Sequence, residues 1–156
     1  MRLPLLFSFQ QLVVGAGFLA GVRVNGHALL DEAADDGTWI TGAAPVGFAG
    51  GGADRGTAFA EFRNAWIAVL FDIASESGSF EAFRTATVEF LSSKAAPLTA
   101  EWEAALAEVR RTDYRDPHLK REVVDGHKVV FEVVDLTHLG LQPKLNELDH
   151  GWKAAA

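Results

Sequence analysis

The sequence predicts an α+β fold: an antiparallel β-sheet, made of an N-terminal meander and a C-terminal hairpin, with two or three helices packed on one face. Three observations predict it. Turn dipeptides punctuate short apolar runs between residues 12 and 41, and again between 122 and 134. Apolar residues recur at helical spacing over 57–74 and 99–111. The glycine run Gly50-Gly51-Gly52 stands between the last early strand signal, Thr38–Thr41, and the first helix.

The totals bound the answer. A chain of 156 residues is expected to form a single domain, 1–156, large enough to bury a core without staples. Hydrophobic residues at 49% and charged residues at 22% fit a folded chain rather than a disordered one. The absence of cysteine excludes disulfides, thiolate metal sites and thiol catalysis. A net charge of −7 argues against a phosphate-backbone partner, so no direct nucleic-acid partner is expected, and it suits a basic protein partner.

Residues 3–22 carry no charge. Ser8, Gln10 and Gln11 interrupt the stretch, which reads as buried strands rather than a signal peptide or membrane span. A cytoplasmic location and no membrane partner are therefore expected. A strand near Leu5–Val14 joins the sheet. Asn25-Gly26, between Val22-Arg23-Val24 and Ala28-Leu29-Leu30, predicts a type I′ hairpin. Asp35-Asp36-Gly37 predicts a second turn, so residues 18–44 read as a three-strand meander. Next comes a helix from about Thr57, as N-cap, to Ala74, with Phe59, Phe62, Trp66, Val69, Leu70 and Ile73 forming its apolar stripe.

Residues 79–93 read as a helix with Phe83, Thr87, Phe90 and Leu91 inward, although 85–90 also alternate as a strand does. Pro97 breaks the chain, and Thr99 is expected to cap a helix to about Arg111, acidic early and basic late. Tyr114–Pro117 is a loop. Residues 122–134 read as a hairpin turning at Asp125-Gly126, so that segment 114–156 is a hairpin plus a tail that extends the sheet. A short helix near Lys144–Leu148 and a frayed Ala154-Ala155-Ala156 are expected.

Several motifs touch on chemistry. Gly15-Ala16-Gly17-Phe18-Leu19-Ala20 matches a dinucleotide fingerprint, but β-branched residues and Asn25-Gly26 follow where the crossover helix is required, so a glycine bend between strands is preferred. Gly50–Gly52 lacks the Lys-Ser/Thr ending of a phosphate loop and reads as a flexible connector, or a mobile loop over a partner. His27, His118, His127, His138 and His150 form no H-x-x-x-H pair. Asp135 with His138 could place two metal ligands on one helical turn and Asp149-His150 two more, but ordinary surface or hairpin histidines are preferred, and His27 and His127, each just after a predicted turn, are expected to be exposed. No catalytic, metal or cofactor residue is selected, and no cofactor is expected. Of the four tryptophans, Trp66 and Trp102 read as core, one of Trp39 and Ile40 must face away from the core, and Trp152 is a possible partner anchor for which local packing is preferred.

The block from Gly26 to Ala74 resembles the HicB-like antitoxin domain. The matching pieces are Asp36-Gly37-Thr38-Trp39, Pro45-Val46-Gly47, the glycines at 50–52 with Asp54, and Thr57 through Ala65. No helix-turn-helix or ribbon-helix-helix segment follows. The resemblance implies a degenerate RNase H-like fold without catalytic carboxylates and a small basic toxin ribonuclease as partner.

The expected function is a non-enzymatic protein-binding module, antitoxin-like or immunity-like. Sheet edges and the loop at 45–56 would make the contacts, with Asp35, Asp36, Trp39, Phe48 and Asp54 as the partner-binding residues. Two alternatives belong to other classes: a small-molecule or nucleotide-binding protein using the glycine segments, and a structural homo-oligomer subunit pairing a strand edge across a two-fold axis.

Overall fold

In the computed structural model, residues 2–33, 35–124, 129–138 and 151–156 are described. The fold is α+β. Strands β1 (Arg2–Gly15), β2 (Phe18–Ala33), β3 (Gly37–Ala44) and β4 (Ala49–Gly52) lead into helices α1 (Arg55–Glu76), α2 (Phe80–Leu91) and α3 (Ala96–Thr112), and β5 (Arg121–Glu122), β6 (Val130–Asp135) and β7 (Gly151–Ala155) follow.

β1 and β2 form one long antiparallel hairpin, Arg2 opposite Asp31 at its open end and Gly15 opposite Phe18 at its closed end. Gly15-Ala16-Gly17 is the bend between them, as the sequence predicts, with Gly17 at φ +77°. The predicted turn at Asn25-Gly26 does not form. β2 runs straight through it, with Asn25 opposite Ser8 and Gly26 opposite Phe7. Gly26 answers a packing demand instead: a Cβ there would meet the Phe7 ring and stand 2.5 Å from the Ala44 carbonyl oxygen.

The outer edge of β2 is shared. Its first half pairs with β6 and its second half with β3, which in turn pairs with β4. On the other side β1 pairs with β7, and β7 pairs with β5 in parallel. The two arms of the predicted C-terminal hairpin thus join the sheet at separate places, β6 on β2 and β5 on β7. Its Asp125-Gly126 turn, and the helix predicted near 144–148, lie outside the described residues. Ala154–Ala156 are buried rather than frayed, and Ala156 exchanges backbone hydrogen bonds with Glu122 and Val124.

Strand alternation creates two cores. One face of the sheet, with Leu5, Phe7, Phe9, Val24, Leu30 and Ile40, packs beneath Phe62, Trp66 and Leu70 of α1 and Phe83 of α2. The opposite face, with Leu6, Leu29 and Ala43, packs against Trp102 and Leu106 of α3. Two helices therefore share one face and the third covers the other. The reason is parity: Leu6 is next in sequence to Leu5, and both are fully buried, which requires cover on both sides.

The helix ends differ from expectation in instructive ways. α1 is capped by Asp54, whose carboxylate accepts the Thr57 N–H at 2.8 Å, so Thr57 lies inside the helix. Residues 80–91 are helical, because Ser79 caps Ala82 N and Phe83, Thr87 and Leu91 recur every fourth residue toward the core. Pro97 starts α3 rather than breaking the chain, since the first turn needs no donor, and Thr99 is not its cap. The first turn of α3 carries no acidic residue, while Arg110 and Arg111 end it as expected. Among the described residues no helix is long and apolar enough to cross a membrane, and the uncharged stretch 3–22 is β1 and the start of β2.

Candidate functional site

The glycine run is neither a connector nor a loop. Gly50, Gly51 and Gly52 are three of the four residues of β4. α1 lies directly on this strand. A Cβ on Gly50 would stand 2.5 Å from Phe62 Cα and 2.6 Å from the Glu61 carbonyl carbon, and one on Gly52 would stand 2.5 Å from Thr57 Cβ. On the other face, a Cβ on Gly51 would enter the Trp39 ring, with contacts of 2.7–2.8 Å. Glycine is required here because backbone meets backbone on one side and an indole on the other.

The predicted partner residues separate into two groups. Trp39 is opposite Gly51 in β4 and Asp31 in β2, and it is 48% exposed, whereas its neighbour Ile40 is fully buried. Asp35 and Asp36 are exposed in the β2–β3 turn. That turn abuts the end of β4: a Cβ on Gly37 would lie 2.5 Å from the Gly52 carbonyl oxygen. Asp54 is exposed just past β4, and the Thr57 backbone N–H it accepts holds its carboxyl below the usual range. These four residues gather along one end of the sheet. Phe48 does not join them. It is 7% exposed and packs on Phe62 at a ring distance of 4.5 Å, with Phe90 and Phe7 nearby, so it is a core residue and offers no surface to a partner.

The position of this edge is held from within. Arg55, at the start of α1, binds Glu32 at the end of β2 and forms a 2.7 Å ion pair with Asp116, whose side chain is fully buried. Burial pushes the Asp116 carboxyl up, but the His118 backbone N–H and the Arg55 guanidinium outweigh it and hold it below the ordinary carboxylate range. The Arg55 guanidinium is held above its ordinary value by the same two carboxylates against the opposing effect of burial. This triad joins the loop after α3 to the β4–α1 junction. It escaped the sequence reading because its members lie 23 and 61 residues from Arg55 and share no spacing pattern.

A second feature was also missed. His27, expected to be exposed after a turn, lies half-buried within β2 and stacks on Trp102 at 3.9 Å with an interplanar angle of 1°. The Trp102 indole N–H donates to the Leu5 carbonyl oxygen at 3.3 Å. Beside them is a cavity of about 210 Å³, also lined by Lys94, Thr99 and Glu103. The usable signal was strand parity, since His27 alternates with Leu29 toward α3.

The remaining motifs serve packing. Phe18 begins a strand where the dinucleotide fingerprint needs a helix. Trp152 stacks on Phe59 at 4.3 Å and packs on Phe9. Asp135 is taken up by the backbone and hydroxyl of Thr137, and among the described residues no three histidines or carboxylates gather as a ligand set. His127, Asp149 and His150 lie outside the described residues. No protein-family model, curated protein or solved structure matches this chain.

Proposed function

We propose that this chain is a non-enzymatic protein-binding module, antitoxin-like or immunity-like, that takes a small basic protein at the β3–β4 end of its sheet. The observation that carries the reading is the grouping of the acidic turn Asp35-Asp36 and the half-exposed Trp39 beside the open strand β4. Exposed aromatic residues ringed by one sign of charge favour a partner of opposite sign, and opposed fields speed encounter. The order of strand, Asp-Gly turn, strand, proline turn, glycine strand and helix over residues 26–76 supports the likeness to the HicB-like antitoxin domain. A cytoplasmic location goes with that likeness.

The test is recovery of the tagged chain from cells of its source, with mass spectrometry of what accompanies it. A small basic protein in near-equal amount supports the reading; recovery of the chain alone refutes it. With such a partner in hand, Asp35→Lys with Asp36→Lys should slow association about tenfold at low salt and leave dissociation nearly unchanged.

The cavity beside His27 and Trp102 favours a second reading, a small-molecule binder. Its 210 Å³ is below the usual ligand-site range of about 300–1,000 Å³, so the ligand would be small. A rise in melting temperature with one member of a metabolite and nucleotide panel would support it, and a flat panel would remove it.

A further inference from the structure

We infer that β4 is a docking edge that takes an extended basic segment of a partner protein as an added strand. This rests on the protein-binding reading above and specifies its mode.

β4 ends the strand order, and among the described residues β3 is its strand neighbour. An edge strand presents unpaired N–H and C=O groups, and proteins commonly blunt it with lysine, proline, a bulge or an inward charge. β4 carries none of these, although at four residues it is short, which is another such device. It consists of Ala49, Gly50, Gly51 and Gly52, and its register against β3 runs without a shift. No side chain of β4 itself is longer than a methyl group.

The two faces beside the edge are already built. α1 covers Gly50 and Gly52 on one, and the Trp39 indole lies across Gly51 on the other. A strand added about 4.8 Å beyond β4 would run alongside that half-exposed ring. The rim sets the charge. Asp35 and Asp36 stand at the Gly52 end, Asp54 is exposed just past it, and exposed Glu61 follows on α1 beside Gly50. Arg55 is engaged by Glu32 and Asp116. Charge complementarity therefore selects lysine and arginine in the incoming strand. Backbone hydrogen bonds would supply affinity, and alternate side chains would supply specificity.

The experiment uses the full chain and a capped hexapeptide alternating Lys and Val. Two further versions are N-methylated at odd or at even positions, and a Glu–Val peptide serves as control. Binding is read by calorimetry, and amide hydrogen exchange is read at residues 49–52. The inference expects the Lys–Val peptide to bind and to slow exchange at β4 about tenfold or more. One N-methylated version, and the Trp39→Ala variant, should bind about tenfold more weakly or worse. The Glu–Val peptide should not bind.

Equal binding of all Lys–Val versions, with β4 exchange unchanged, overturns the strand-addition mode but leaves the protein-binding reading intact. Absence of binding overturns the inference, while the recovery experiment judges the wider reading by itself. Protection of β4 that rises with protein concentration in the absence of peptide, together with a dimer in sedimentation, would make a second copy the occupant and overturn the assignment to a foreign segment.

Discussion

Replacing Gly50 by alanine separates a glycine that serves freedom from one that serves contact. The new Cβ would stand 2.5 Å from Phe62 Cα and 2.6 Å from the Glu61 carbonyl carbon. Carbon atoms prefer about 3.5–4.0 Å, so α1 has to lift about 1 Å from β4. A gap of that size forfeits about a quarter to a half of each dispersion well across it. A buried side chain makes about 50 contacts of about 0.15 kcal/mol each, so losing a quarter of those made by Phe62 comes to about 2 kcal/mol. Ala58, also fully buried on this stripe, adds to the loss. The sum, about 3 kcal/mol, is the upper part of the range for overpacking.

Two neighbours serve as controls. The atoms nearest a Cβ on Gly51 belong to the half-exposed Trp39 ring, a side chain that can swing, so Gly51→Ala should cost about 1 kcal/mol. Gly56 lies in the first turn of α1, where the nearest neighbour of a Cβ is an Asp54 oxygen at 3.4 Å, so Gly56→Ala should stabilise by about 0.5 kcal/mol. Urea denaturation followed by far-UV circular dichroism gives all three values. The Gly50→Ala loss corresponds to a fall in melting temperature of about 6–12 °C for a chain of this size. A permissive connector would instead gain about 0.4–1 kcal/mol from each alanine. Gly50→Ala at or above wild-type stability would refute the close-contact account.

Three further outcomes follow from the same structure. Asp54→Ala should cost about 1 kcal/mol by removing the cap of α1, and Thr57→Ala clearly less, both read by thermal denaturation. Deleting Ala154–Ala156 removes three backbone hydrogen bonds of 2.9 Å, to Lys120, Glu122 and Val124, and should cost about 2–3 kcal/mol by urea denaturation, where a frayed tail would cost nothing. Asp116→Asn should cost about 2 kcal/mol at neutral pH. Because the folded carboxyl is held below its unfolded value of about 3.9, its stabilisation is present above that pH and is lost as pH falls through the folded value. The stability gap between Asp116→Asn and wild type should therefore close below about pH 4, and a gap that persists in stronger acid would remove the ion-pair account.

The sequence misled wherever a local signal competed with a longer one. Asn25-Gly26 is a strong but purely local hairpin signal. It competes with fourteen consecutive β1–β2 pairs, each contributing about 0.2–1 kcal/mol, and the sum of those pairs wins. The turn falls instead at Ala16-Gly17, where the apolar runs on both sides reach their full length. Helices were legible because their stripes are local: Phe62, Trp66 and Leu70 announce a face without reference to the rest of the chain.

Gly50–Gly52 is the harder case, because glycine carries the same letter whether the backbone needs freedom or needs room. What decides between the two is α1 lying on β4, a contact that no spacing within the run encodes. The same contact bears on function. A strand whose glycines receive α1 on one face and the Trp39 ring on the other cannot also carry the lysine or proline that would blunt its outer edge, and among the described residues β3 is its strand neighbour. On the proposed reading, the acidic rim of Asp35, Asp36 and Asp54 would then set what that edge accepts, repelling strands of like charge and favouring basic ones. The exposure of the two turn aspartates was legible from turn chemistry, and strand alternation showed that one of Trp39 and Ile40 faces out without saying which. Phe48 was not separable from them, because an aromatic residue after a Pro-x-Gly turn reads the same way whether its ring points out to a partner or, as here, in against Phe62.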